Sequence, residues 1–443
     1  PLPTRVKAEQ APPAPNANNN GQFEVEPGGD LYPMYKRYRF TMDQYSSQNG
    51  TWTLKAFDRT TGNEKGRFGG FTPPQIYNPG SFPFSKYVQG SGQLVLVQLG
   101  TWVYCLDLAE KKERWQKNLL GDPTPGVVVN PQIQNPGPDG EVTIKYAEGF
   151  YLTFGRAAVL QPGYCALLTR DGIEVVEPQT RRVLWTRRNV PERTMLYGDA
   201  RYLVVVETDA AKKPVSVKLL RATDGMVVDG SPDSGRVLAA ARTFHLHGHT
   251  ALLSEGAGDQ PRVLRLYDLA TGKDVWKKAY DPKAVPIKSM TGEWAGYVRP
   301  NGEAEVIEVA TGRVAATLKI DDKNLESDLK PARDAQVFAD ADRFYLFLDR
   351  DPSLPATNNT RRVPMYNNTL RTVAVNGPLY AFDRATGRRL WTYGNGLLEN
   401  QMLILEQFAE LPVIIAAGPV QRVDNNQQLY QVVIIEKARG TLI

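Results

Sequence analysis

The stretch LYAFDRATGRRLW, residues 379–391, has a close relative within the same chain, LYDLATGKDVW at residues 266–276. Each runs an apolar alternation into an Asp, two variable residues, Thr-Gly, and a Trp four residues beyond the Gly. Weaker copies recur throughout. LKAFDRTTGNEKGRF spans 54–68, VYCLDLAEKKERW 103–115, IEVVEPQTRRVLW 173–185, VKLLRATDGMVVDG 217–230, AEVIEVATGRVAAT 304–317 and YQVVIIEKARGTLI 430–443. With 263–276 and 379–391 these make eight copies. The hinge glycine stands at 62, 225, 272, 312, 387 and 440, with Lys111 and Arg181 in its place in the other two.

Each copy reads as a strand, a tight turn and a second strand. The Asp carboxylate can accept backbone N–H groups two or three residues on, the Thr hydroxyl can do likewise, and Gly supplies positive φ. Alternation before the Asp gives a strand with one buried face. Two more strand-like runs precede most hinges, such as MLYGDARYLVVVETD at 195–209 and AQVFADADRFYLFLD at 335–349. The unit is therefore four strands in about 50 residues, a period typical of propellers. The fold expected is all-β, an eight-bladed β-propeller of four-stranded antiparallel blades, with seven blades as the alternative if the first and last copies share one.

Residues 1–21, rich in Pro, Asn and Ala, hold too little apolar surface to offset their ordering entropy and read as a flexible linker. The propeller is assigned to 22–443. The eighth copy is too short for a full outer strand, and QFEVE at 22–26 alternates like a strand. The expectation is that 22–26 pairs at the outer edge of the last blade and closes the ring. The chain opens on Pro1, so a processed terminus with any export signal removed is expected.

Composition narrows the function classes. The chain has 443 residues, 42% of them hydrophobic, and a net charge of +5, too small for a nucleic-acid footprint. No run nears the roughly 18 apolar residues of a membrane span. Two cysteines exclude a disulfide framework or a Cys-rich zinc module. Cys105 and Cys165 both lie in apolar strand patterns and read as small buried groups.

The pattern A-x-D-x-x-T-G-x-x-x-W at 381–391, nearly repeated at 266–276, resembles the PQQ-like repeat, a β-propeller family with quinoprotein alcohol dehydrogenase-like enzymes and BamB-like non-enzymatic assembly proteins. The resemblance covers residues 37–443. It implies that Trp115, Trp185, Trp276 and Trp391 dock onto the adjacent blade, Gly66, Asp229 and Ala316 holding that position in three others. It also implies export to a bacterial periplasm or cell surface, or secretion. The enzymatic branch carries PQQ over calcium, an Asp base and commonly a disulfide between adjacent cysteines. Cys105 and Cys165 are not adjacent, and no calcium-ligand set can be assigned. The hinge residues Asp58, Asp107, Asp268 and Asp383 are accounted for as turn formers.

All three histidines lie in FHLHGHT, at 245, 247 and 249. Three imidazoles at alternate strand positions share a face and can ligate zinc or copper. Against this, Gly248 falls in a turn that breaks the alternation and no acidic fourth ligand is adjacent. An incidental or pH-sensitive loop is the preferred reading. Two insertions, 121–142 and 350–377, are places for partner recognition. The second carries Arg361, Arg362, Tyr366 and Arg371, suited to a protein surface or acidic ligand. Trp102, Trp294 and Tyr366 are the aromatics a carbohydrate or small-ligand pocket would use. With no convergent catalytic constellation, the expected role is a non-catalytic protein-interaction scaffold without cofactor, binding a protein partner through rim, channel face or insertions. The rivals are a quinone- or metal-dependent oxidoreductase and a small-ligand module.

Overall fold

The computed structural model describes residues 23–25, 28–44, 52–58, 61–71, 86–99, 101–121, 132–133, 143–145, 151–153, 158–191, 193–209, 213–228, 234–241, 243–256, 260–289, 292–321, 329, 332–350, 360–362, 372–404, 411–422 and 428–443. Almost every element is a strand. Among the described residues no helix is long and apolar enough to cross a membrane. The chain divides into two compact units, residues 1–196 and 197–443.

In the first unit, three antiparallel meanders follow in chain order. The first holds Phe23–Val25, Tyr38–Gln44, Trp52–Asp58 and Glu64–Phe71. The second holds Lys86–Gly92, Leu94–Leu99, Trp102–Asp107 and Lys112–Asn118, with Gly28–Leu31 added in parallel to its first strand. The third holds Ala158–Gln161, Tyr164–Thr169, Gly172–Val176 and Val183–Arg187. The insertion at 121–142 is more than a loop: Gln132–Ile133 joins Thr143–Lys145 and Tyr151–Thr153 in a small sheet.

Phe23–Val25 requires a correction. Phe23 pairs with Met42 and Val25 with Phe40, so this segment is the first strand of the first sheet rather than a closing strand on the last. A partner nearby in the chain costs less closure entropy than one at its far end.

In the second unit the fourth repeat pairs Thr194–Gly198, whose start falls at the division, with Tyr202–Thr208 and Pro214–Arg221. The fifth holds Thr243–His247, Thr250–Glu255, Arg262–Asp268 and Lys273–Tyr280. The sixth holds Val285–Lys288, Trp294–Val298, Glu303–Glu308 and Val314–Lys319, and the seventh Ala332–Ala339, Arg343–Arg350, Thr372–Asp383 and Arg389–Ile404. The first strands of these two pair in parallel, Ile287 with Ala335 and Lys288 with Gln336. The eighth uses the end of Arg389–Ile404, then Val413–Arg422 and Gln428–Glu436.

Besides the second repeat with its added fifth strand, two repeats fall short of the expected four strands. In the fourth, the outer strand shrinks to a Leu220–Val227 bridge, and the helix Ser234–Ala240 lies beside Pro214–Arg221. A Cβ on Gly235 would sit 3.1 Å from Ser216 Cα, so glycine permits that approach. In the eighth, only Leu442 bridges back, to Ile435.

The eight hinges share one conformation. φ is 70° at Gly62, 54° at Lys111, 60° at Arg181, 71° at Gly225, 69° at Gly272, 71° at Gly312, 71° at Gly387 and 70° at Gly440. The amide of Gly387 donates to Asp383 O at 2.9 Å, that of Asp383 to Arg388 O, and Thr386 N–H to Asp383 Oδ1 at 2.8 Å. The Thr hydroxyl then accepts from the residue after the hinge, as in Arg388 to Thr386 and Arg313 to Thr311. Glu177 and Glu308 replace Asp and still hold their turns through Thr180 and Thr311.

A β-bulge follows each of six hinges. Trp115 faces Cys105 while Glu113 faces Leu106, leaving Arg114 unpaired, and Leu184, Val275 and Leu390 are passed over in the same way before Trp185, Trp276 and Trp391. Lys65 and Ala315 do so in the first and sixth repeats. The extra residue twists the outer strand and re-aims the side chain that follows.

The core lies in layers between successive sheets. On Arg343–Arg350, Phe344, Leu346 and Leu348 pack with Val298, Val306 and Leu318 of the sixth repeat. Tyr345 and Phe347 point the other way, onto Ile414, Ala416 and Ile435 of the eighth. Alternation here serves two buried faces, because each such sheet is packed on both sides.

Candidate functional site

Among the described residues, one recurring set of polar contacts lies at the hinges and the indoles that meet them. Trp115 Nε1–H donates to Pro178 O at 2.7 Å, Trp276 Nε1–H to Val309 O at 2.7 Å, and Trp391 Nε1–H to Lys437 O at 2.8 Å. Each acceptor is the residue after the hinge acid of the next repeat, so one indole locks onto the following turn. A Cβ on Gly312 would come within 2.4 Å of Trp276, and one on Gly440 within 2.4 Å of Trp391. Under Trp115 the hinge is instead Arg181, whose guanidinium donates to Gln116 O at 3.1 Å. Trp185 stands opposite Val175 at the same bulge and is half-buried.

Three polar clusters stand out. In the first, Asp107 accepts Arg114, Gln93 and the amides of Ala109 and Glu110. Burial pushes its carboxyl up, but these bonds outweigh it and hold the group below the usual carboxylate range. In the second, Asp340 accepts the amides of Asp342 and Arg343 on one oxygen and Tyr345 Oη, at 2.6 Å, on the other. Lys437, only 4% exposed, lies 3.7 Å from that carboxylate and 5.7 Å from the Tyr345 ring. Burial lowers the Lys437 pKa while Asp340 opposes the shift. The third, on the paired first strands of the sixth and seventh repeats, joins Lys288 Nζ to buried Asp334 at 2.7 Å, with Gln336 Nε2 on the other carboxylate oxygen. Gln336 Oε1 has no hydrogen-bond partner among the described residues and is sealed from solvent.

The histidines separate. His245 and His247 lie on Thr243–His247, with Gly248 at φ 60° in the following turn. His249 is turned onto Asp199, Nδ1 to Oδ2 at 2.6 Å, its amide reaching the same oxygen at 2.9 Å and its ring standing edge-on to Tyr202. The His247 ring lies against Gly292. Among the described residues no group of three or more His, Cys, Asp or Glu side chains could hold a metal ion, and the structure does not gather His245, His247 and His249 into one such group. The reason is Gly248: its turn takes His249 off the strand face.

Cys105 and Cys165 are buried free thiols. Burial, then Asp107, pushes Cys105 up to about 12, and its Sγ donates to Pro178 O. Burial raises Cys165 well above the usual thiol value. These residues do not fit the quinone–calcium arrangement of the PQQ-like enzymes: the thiols stand in different sheets, and the buried carboxylates among the described residues are engaged by turn amides and cations. Arg361 and Arg362 lie on strand Thr360–Arg362, which pairs with Val420–Arg422, so this part of the second insertion extends a sheet instead of forming a free loop. Tyr366 and Arg371 lie outside the described residues. Trp102 is half-buried and stacked on Tyr104, and Trp294 is buried beneath Arg384 and edge-on to Phe344. Neither offers an open aromatic platform.

The Asp340–Tyr345–Lys437 cluster was not anticipated. Its signal was Lys437 itself, which occupies a position held by buried Leu108, Ala222, Leu269 and Val309 in other repeats.

No protein-family model matches this chain, and no curated protein matches it. Solved structures do align. The computationally designed Ika8 protein matches at TM-score 0.41 and 10% identity, covering 93% of this chain and 97% of its own. BamB from Moraxella catarrhalis matches at TM-score 0.32 and 14% identity, over 73% and 82%. Kluyveromyces lactis Hsv2 matches at TM-score 0.35 and 8% identity, over 94% and 99%. Superpositions this loose carry no argument about function.

Proposed function

We propose that this chain is an eight-bladed PQQ-like β-propeller serving as a non-catalytic protein-interaction scaffold in a cell-envelope or exported assembly. The observation that carries the reading is the closure of its reactive groups. Among the described residues the buried carboxylates hold turns or pair with cations, and burial keeps both thiols protonated in the core. The repeated hinge, bulge and indole contact invests the sequence in rigid packing of sheet on sheet. A rigid array of turns and sheet edges is a platform on which partner segments dock.

Native mass spectrometry of the protein purified from its own source tests this. The scaffold reading expects the chain together with a stoichiometric second polypeptide. A bound group of a few hundred daltons accompanied by calcium would sink it in favour of the quinoprotein enzyme.

A further inference from the structure

The outer strand of the third repeat, Val183–Arg187, lies within RRVLWTRR, residues 181–188. Two arginine pairs bracket Val-Leu-Trp-Thr, and no acid occurs anywhere in 178–191. One edge of the strand pairs with Gly172–Val176, and the other pairs with no strand among the described residues. The edge is firmly held at both ends. At the hinge the amide of Glu177 donates to Arg182 O and that of Arg181 to Glu177 O. At the far end a Cβ on Gly172 would come 2.1 Å from Arg187 O and 3.1 Å from Arg188 Cα, so glycine lets the two strands close there.

The bulge sets what the edge presents. Val183 pairs with Val176 and Thr186 with Glu174, whereas Trp185 and Arg187 pair with Val175 and Ile173. Val183 and Thr186 therefore share one face, on which Glu174 meets Lys117 of the second repeat at 2.5 Å. Val183 is 52% exposed. Arg182 and Arg188 are exposed and Arg187 is half-buried. Arg181 gives one N–H to Gln116 O. Among the described residues the side chains of Arg182, Arg187 and Arg188 make no hydrogen bond or ion pair. Arg182 acts on Glu177 through space alone, and that carboxylate is already engaged by the Thr180 hydroxyl and the amides of Gln179 and Thr180. The neighbouring outer strand differs: there Lys112, Arg114 and Lys117 are each paired to a carboxylate.

An open strand edge takes a further strand through its unpaired N–H and C=O groups. Scattered charges on an edge ordinarily keep neutral strands away. Charges of one sign without counter-charge also repel a basic strand and select an acidic one. We propose that Val183–Arg187 is a strand-addition edge for an extended acidic segment of a partner protein. The segment continues the third sheet, covers Val183 with an apolar side chain and sets its carboxylates against Arg182, Arg187 and Arg188. The proposal rests on the scaffold reading and names the surface that reading requires. A nucleic acid would meet the same cations but has no main-chain ladder to offer the edge.

The test uses the full chain. A fluorescein-labelled octapeptide of alternating Glu and Val is titrated by anisotropy against the wild type and Arg182→Glu/Arg188→Glu. The charge-matched control is Lys273→Glu/Lys277→Glu, at exposed positions on the outer strand of the fifth repeat. The same peptide N-methylated at either alternate set of residues keeps its charge and loses the donors of one edge. The expected result is binding weakened at least tenfold by the arginine variant, within twofold of wild type for the lysine variant, and lost with one of the two N-methylated peptides. Melting temperatures should agree; Arg188→Gln, which adds no repulsion, should still weaken binding about threefold and serves if the double variant melts early. Equal weakening by both double variants overturns the proposal, since the attraction would then be to the net charge of +5. Full binding of both N-methylated peptides overturns it in favour of a bare polyanion site, and no binding to the wild type at millimolar peptide overturns it outright. Native mass spectrometry of Arg182→Glu/Arg188→Glu from source cells separates this edge from the scaffold reading. Loss of the second polypeptide supports the edge, and its retention overturns the edge while leaving the scaffold reading standing.

Discussion

Gly62 and Gly387 occupy the same turn, at φ 70° and 71°, yet replacing each by Ala is expected to cost different amounts. Both substitutions put an L side chain in the left-handed region, which costs about 1 kcal/mol. At Gly62 nothing lies within 4 Å of the new Cβ, so the cost stops there. At Gly387 the Cβ would sit 2.2 Å from Thr317 O, well under the 3.0 Å that real Cβ atoms respect. The obstructing atom is main chain, on a strand held by its register with Glu303–Glu308. It cannot swing aside as a side chain would, and overpacking of this kind adds about 1–3 kcal/mol. Gly387→Ala should therefore cost about 2–4 kcal/mol against about 1 for Gly62→Ala. Because the glycines lie in different compact units, hydrogen exchange on peptides spanning each hinge is the suitable assay, since it reads local opening free energies. Equal losses at the two hinges would refute the reasoning: the seventh hinge would then not rest on the outer strand of the sixth repeat in solution.

Four further outcomes are expected. Trp391→Phe leaves buried Lys437 O without its 2.8 Å donor and should lower stability by about 1–3 kcal/mol in urea titration; an unchanged midpoint would mean the indole contact is not formed. Ala316→Trp restores the commonest residue at its position but should destabilise by about 1–3 kcal/mol, since Thr317 O already fills the space at Gly387; a rise in melting temperature would contradict the close approach. Cys105 and Cys165 should resist a thiol reagent at pH 8 in the folded chain and yield two equivalents in denaturant; fast titration of either when folded would contradict their burial. Burial raises the Asp199 carboxyl, but His249 and the amides of Arg201 and Tyr202 lower it further, so its stabilisation is complete above the unfolded value near 4 and lost as pH falls through the lower folded value. The midpoint gap between wild type and Asp199→Asn should thus narrow on acidification, and a gap that widens would reverse the assignment.

The hinges were legible because their chemistry is local. Asp or Glu, Thr and Gly within five residues mark four of the eight turns, at 58–62, 268–272, 308–312 and 383–387, and even Lys111 and Arg181 were placed correctly by alignment to the glycines. The bulge was not legible, since a residue passed over by the ladder leaves no mark of its own in composition. The helix that replaces the fourth outer strand was missed because Met226–Val228 still reads as strand, and only the absence of Trp at 229 hinted otherwise. The histidine segment shows the limit of period-two reasoning: a single glycine at 248 re-aimed His249 onto Asp199. The Asp340–Lys437 pair is non-local, and a lysine among buried apolar positions was its sole trace.

These particulars make the contact between repeats, more than the repeat itself, the unit that the sequence specifies. The residue four beyond one hinge and the hinge residue of the next repeat vary together in shape. Trp276 meets Gly312 and Trp391 meets Gly440, where a side chain on the hinge would strike the indole. Ala316 meets no indole-sized demand, and there the backbone of Thr317 closes directly on Gly387. Trp115 meets Arg181, the non-glycine hinge, and there the guanidinium replaces the missing freedom with a bond to Gln116 O. Reading each repeat against a consensus treats Ala316 and Arg181 as weak copies. Reading them against the neighbour they touch makes both complementary, and it places the stiffness of the fold in the junctions between sheets.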